Sequence, residues 1–290
     1  IQASLVGSEM CIRDSNRKLI KIRQERENLK YFDKKIFFQD YENDFIERIS
    51  LINEDFNRCL AYGFRGEKPK FSSNVKNILY GNLGKNDKTE IIYDEELYPF
   101  RESSIDLIMS FFNLHFANDV PGILYQILRS LKPNGLFIAS LFCGNTLQEL
   151  NYSFIKAEEE ISGGMSPRVS PFANLQKLAA LLQEINFSLP VADIDRHQVN
   201  YDHPKDLLMD LKKLGETNCL LKMNKSILRR DILNRMYEIY INNFSKNGKI
   251  IATFEIAWLT GWKYHESQQK PLKRGSGKTS MLESVKKFEE

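Results

Sequence analysis

Cysteine is scarce in this chain: four residues in 290, at positions 11, 59, 143 and 219, with no CxxC pair among them. Without paired cysteines or a Cys/His cluster there is no basis for a zinc site, and the wide scatter gives no disulfide framework. Free buried thiols in a reducing compartment are expected instead. No apolar run reaches the roughly 18 residues that a membrane-spanning helix needs. Charge of one sign is also lacking: the net charge is +3 and the pI about 8.5. That balance is too mild to point to nucleic acid. There is no P-loop, no serine nucleophile in motif context and no paired-acid hydrolase signal. Glycine, at 15 residues, is thin, while Lys, Asn, Ile and Phe are abundant. We take that as drift in base composition, without bearing on partners.

What is present is ordinary for a globular protein, with 42% hydrophobic and 27% charged residues. The length suits one large α/β domain with appendages. Residues 1–15, IQASLVGSEMCIRDS, have neither the basic start nor the long apolar core of a secretory signal. They resemble translated sequencing-adapter text, so we treat them as a non-native segment. Residues 16–56 form a helical lead-in: NRKLIKIRQERE is basic and reads as a solvated helix face. Phe37, Phe38, Tyr41, Phe45, Ile46 and Ile49 then recur at helical spacing. The α/β domain is expected over 57–275, and 276–290 as a loose tail.

Within that domain strands are expected at 57–62, 77–80, 90–93, 104–112, 136–142, 191–201 and 250–264. Residues 118–131 are amphipathic, with Ile123, Leu124, Ile127, Leu128 and Leu131 on one face. The text Lys132-Pro133-Asn134-Gly135 stops that helix and turns the chain into the continuous apolar run 136–142. Strand, helix and strand over 105–142 make a right-handed βαβ unit in a mostly parallel sheet. Further helices are expected at 147–160, 173–185, 204–214 and 225–244.

Ligands of such sheets bind beyond the carboxyl ends of the strands. The post-strand loops therefore hold the candidate site residues: Gly63 after the first strand, Asn82 after the second, Asp94 and Glu95 after the third, His115 after the fourth. A carboxylate at a strand end can accept a hydrogen bond from an adenine amino group, and Asn can bond ribose hydroxyls without charge assistance. Imidazole titrates near neutrality, so His115 is a candidate for a base or a substrate-orienting group, structural packing being the alternative. Arg168 and Ser170 lie in SGGMSPRVSPF, a loop that reads equally as a lid or as plain surface. His265, Glu266, Ser267 and Gln268 suit substrate contact or turn chemistry, and Trp258 and Trp262 suit core packing.

The stretches YDEELYPFRESSIDLIMSFFNLHFANDVPG and LKPNGLFIASLF resemble the core of the class I S-adenosylmethionine-dependent methyltransferases. Together with SGGMSPRVSPF, VADIDRHQVNY and TFEIAWLTGWKYHESQQKPLKRGSG, they resemble the methyltransferase-like family of mitochondrial complex I assembly factor five and its alphaproteobacterial relatives. The biotin-pathway malonyl-carrier-protein O-methyltransferases are similar through the core only. The resemblance implies a Rossmann-like sheet, mostly parallel with an antiparallel last strand, with N-terminal helices and a helical insertion. It implies S-adenosylmethionine as cofactor, with Gly63, Asn82, Asp94, Glu95 and His115 lining its site and no metal. It also implies action on a protein of respiratory complex I, by methylation or arginine hydroxylation, in the bacterial cytoplasm or the mitochondrial matrix. No nucleic acid is involved, and any membrane association is peripheral, through complex I intermediates.

The departures point the other way. Where the superfamily reads LDLGCGTG, this chain has Ala61, Arg65 and Glu67 in place of the acid and two glycines. Only 83–89 joins the second strand to the third, too short for a crossover helix. The sheet edge on the ribose side is expected to be shortened or rerouted. The alternative function is thus a non-catalytic assembly protein on a degenerate methyltransferase fold.

Overall fold

The computed structural model describes residues 15–27, 36–64, 68–86, 89–221, 223, 228–269 and 275. The replaced residues Arg65 and Glu67, most of the segment 1–15 and the tail 276–290 lie outside these. Two helices lead, α1 (Arg17–Glu27) and α2 (Ile36–Ser50), followed by β1 (Cys59–Tyr62), β2 (Ile78–Asn82), β3 (Ile91–Ile92) and β4 (Ile105–Phe111). Next come α3 (Val120–Ser130), β5 (Leu131–Phe142), α4 (Gln148–Ser162), α5 (Leu175–Glu184) and β6 (Ser188–Tyr201). The chain continues through α6 (Pro204–Lys213), α7 (Arg230–Phe244), β7 (Ser245–Lys246) and β8 (Lys249–Trp262).

The strands form one sheet in the order β3-β2-β1-β4-β5-β8-β6, with the two-residue β7 paired to β8. Strands β1 to β5 run parallel, and β8 is antiparallel to both β5 and β6. This is the Rossmann-like arrangement with an antiparallel last strand. Alternate residues of each central strand face opposite ways, and both faces are apolar, as a sheet covered on both sides requires. Ala61, Leu107, Met109 and Ile138 face α2, α4, α6 and α7, whereas Leu60, Ile108, Phe137 and Ala139 face α3 and α5.

Three local outcomes differ from, or sharpen, the sequence reading. First, β5 begins at Leu131 instead of 136: Leu131 pairs with Ile105 and Leu136 with Leu107. The four residues between bulge out, with Asn134 at φ 60°. Second, β3 has only two residues, and an eight-residue connection joins it in parallel to β2. Without a crossover helix only a stub can pair, so the edge is shortened. Third, the 63–77 connection carries no helix among its described residues. The face a helix there would cover is taken by α2, whose Phe45 packs on Phe64, Phe111 and Trp258 with ring centroids 5.5, 6.0 and 5.5 Å away.

Among the described residues no helix is long and apolar enough to cross a membrane, and no metal-binding cluster occurs. Cys59 and Cys143 are free, buried thiols, and Cys219 is buried.

Candidate functional site

The carboxyl ends of β1, β2, β3 and β4 share one rim: Gly63 follows β1, Asn82 ends β2, Asp94 and Glu95 follow β3, and His115 follows β4. Gly63 follows β1 at φ 84°, a left-handed conformation that favours glycine. A side chain at this position would also run into the backbone oxygen of Phe111. Sheet packing thus accounts for this glycine without a ligand. Asn82 is buried at the end of β2, and its Oδ1 accepts a 2.9 Å hydrogen bond from the backbone N–H of Leu83.

Asp94 and Glu95 do meet at the rim, around a partner that the sequence reading set on a solvated face. Arg17 of α1 donates from Nη2 to Asp94 Oδ1 at 2.6 Å and from Nε to Asp94 Oδ2 at 3.3 Å. Its Nη1 and Nη2 both lie 3.3 Å from Glu95 Oε1, and Nη1 is 3.4 Å from the backbone oxygen of Phe116. Glu96 completes the group at 3.8 Å from Nε. Glu95 is 3% exposed, and burial raises its carboxyl pKa, against the lowering influence of Arg17 and of the Asn113 amide. That amide donates to Glu95 Oε2 at 2.6 Å and in turn accepts from Gln24 of α1 at 3.0 Å. Burial alone would lower the Arg17 pKa, but Glu95 and Asp94 outweigh it and hold the guanidinium charged.

His115 sits in a short 3-10 turn (Leu114–Phe116) after β4. The sequence showed no carboxylate for it; the fold supplies Glu216, from the loop after α6. The two lie 2.9 Å apart through Nε2, with both side chains buried. The Nδ1 atom is buried without a hydrogen-bond partner among the described residues. Two cavities of about 250 and 270 Å³ flank this pair. Both are lined by His115, Ser170 and Phe172. The SGGMSPRVSPF loop therefore reaches the site through Ser170 and Phe172. Its base is tied to α4, where Glu158 accepts from Ser166 N–H at 2.6 Å and from Arg168 Nε at 2.7 Å.

The His265 cluster is elsewhere. His265 bonds Ser267 at 2.7 Å, and Gln268 bonds Asn134 at 3.2 Å and the backbone oxygen of Lys263 at 2.9 Å. This is turn chemistry at the end of the sheet opposite the rim. Trp258 is a core residue, 1% exposed, and Trp262 packs partly buried against the same core. The residues that sequence reasoning missed are Arg17, Gln24 and Glu216. An arginine in a basic helix and a glutamate in a loop carry no local signal of a partner.

A family model described as a methyltransferase domain matches residues 82–139, the stretch from β2 to β5. The fold is shared with the YcgJ protein of Bacillus subtilis, at a TM-score of 0.51 and 14% identity, over 78% of this chain and 99% of that one. These define the class: a Rossmann-like methyltransferase fold. The mouse protein "Arginine-hydroxylase NDUFAF5, mitochondrial" is 42% identical over 197 residues, covering 68% of this chain and 57% of that protein. "Putative methyltransferase RP459" of Rickettsia prowazekii is 30% identical over 177 residues, covering 60% of this chain and 76% of that protein. The chain belongs to the NDUFAF5-like family of class I methyltransferases. It spans 57% of the length of the mouse relative.

S-adenosylmethionine is the cofactor such a domain implies. In the arrangement described, the rim residues do not fit it. Asp94 and Glu95 are taken up by Arg17, and Asn82 is turned onto its own backbone.

Proposed function

We propose that this chain acts in the assembly or maturation of respiratory complex I, on a protein partner, from its methyltransferase fold. The observation that carries the reading is the 42% identity to the mouse NDUFAF5 protein over 197 residues. The proposed place of action is the bacterial cytoplasm or the mitochondrial matrix, with contact to the membrane only through complex I intermediates. The substrate side of the site is the His115–Glu216 pair between its two cavities: an imidazole held by a carboxylate is oriented to accept or donate a proton.

The reading is tested by expressing the full chain in cells that lack their own NDUFAF5 relative. Mature complex I on native gels is the expected result, and its continued absence overturns the proposal. Rescue of a biotin auxotroph lacking its malonyl-carrier-protein methyltransferase would favour the more distant cousin instead.

Side-chain modification with S-adenosylmethionine and assembly by contact alone are the two ways of acting. For modification, Gly63, Asn82, Asp94, Glu95 and His115 remain the proposed lining, and Arg17 has to leave Asp94 and Glu95 before the cofactor enters. The second is favoured by one observation, the occupation of Asp94 and Glu95 by Arg17.

A further inference from the structure

Arg17 makes five N–H···O contacts with three neighbouring acceptor groups: two with Asp94, two with Glu95 and one with the backbone oxygen of Phe116. A guanidinium has five N–H groups, so this cradle saturates it. The rest of α1 is fitted to the same rim. Gln24 bonds Asn113 beyond β4, and Glu25 accepts from the Lys85 N–H beyond β2 at 3.3 Å. A side chain in place of Gly84 would press on Lys21 and Glu25, so the β2 loop is shaped to the helix. On its other flank Arg23 donates to the backbone oxygens of Thr217 and Asn218, both at 2.6 Å, next to the residue that holds His115.

The loops after β2, β3 and β4 are where a fold of this class receives its nucleoside. All three are here engaged by one helix. We infer that α1 is the resident occupant of the nucleoside niche, that Arg17 is bound there in a guanidinium cradle, and that α1 and a nucleoside exclude each other. The inference rests on the methyltransferase fold and not on the complex I reading, so either can fail alone. It accounts for the relaxed demands on this rim: with a helix in the niche, no carboxylate is needed at Asn82.

The test is amide hydrogen exchange of the full chain, read over α1 with and without S-adenosylhomocysteine at millimolar concentration, beside calorimetry of the same mixture. Protected α1 amides with no heat of binding are expected. Binding accompanied by exposure of α1 also supports the inference, since the ligand then displaces the helix. Binding with α1 still protected overturns it. In Arg17→Ala the α1 amides should exchange about tenfold faster or more. Unchanged protection there would show that the cradle does not hold the helix. If that variant does not fold, the wild-type titration decides alone.

Discussion

Glu95 is a carboxylate that the fold removes from water and then surrounds with donors. An ion pair of this kind adds little when intact, but breaking one side leaves a charge without compensation. Arg17→Ala should therefore cost about 3 kcal/mol at neutral pH, as read from urea unfolding. The pH dependence follows from burial, which already raises the Glu95 pKa above its ordinary value of 4.5 and would raise it further without Arg17. The folded variant then holds a proton that the unfolded chain has released, so its stability falls as pH rises above the ordinary glutamate range. The deficit relative to wild type should be small near pH 4 and largest at neutrality, and Glu95→Gln in the same chain should recover part of it. A deficit independent of pH would place the loss in packing instead of charge.

At the scale of elements, the 163–172 loop is tied to α4 through Glu158 and to the loop after α6 through Asn218, whose amide donates to the Pro167 backbone oxygen at 2.7 Å. Burial would raise the Glu158 pKa, but the Ser166 N–H, Arg168 and the Ser166 hydroxyl together hold it below the ordinary value. A carboxylate with a depressed pKa contributes stability above the ordinary range and loses it as pH falls through the depressed value. Acid should thus release the loop and open the wall that Ser170 and Phe172 give the two cavities. Limited proteolysis is expected to nick this loop faster in acid, and Glu158→Gln should be nicked faster already at neutral pH. Equal cleavage of variant and wild type at neutral pH would show that the loop is held by other contacts. The lid reading of this segment remains the proposal it was at the level of sequence; the anchor at its base is what the tertiary structure adds.

For the whole molecule, one sheet is shared by the two large apolar clusters, and Trp258 lies in the larger one. Separating either cluster means tearing the sheet that the other depends on. Tryptophan fluorescence and far-ultraviolet circular dichroism should therefore report the same urea midpoint. Distinct midpoints would mean that the α4, α6 and α7 layer comes away first.

Strand periodicity, the apolar face of α3, the KPNG turn and the family signatures are local or nearly local in sequence, and the fold class and family followed from them. The shortened β3 edge was legible too, because chain length alone forbids a crossover helix in 83–89. The candidate site was legible only as a set of loops. Asp94 and Glu95 were found as acids at a strand end, but their partner Arg17 lies 77 and 78 residues away. His115 and Glu216 are 101 residues apart. Such pairs have no spacing to read, since they arise when separately formed elements dock and buried charges must find each other. Composition and pattern determined the platform; packing of a distant helix against its rim decided what occupies it.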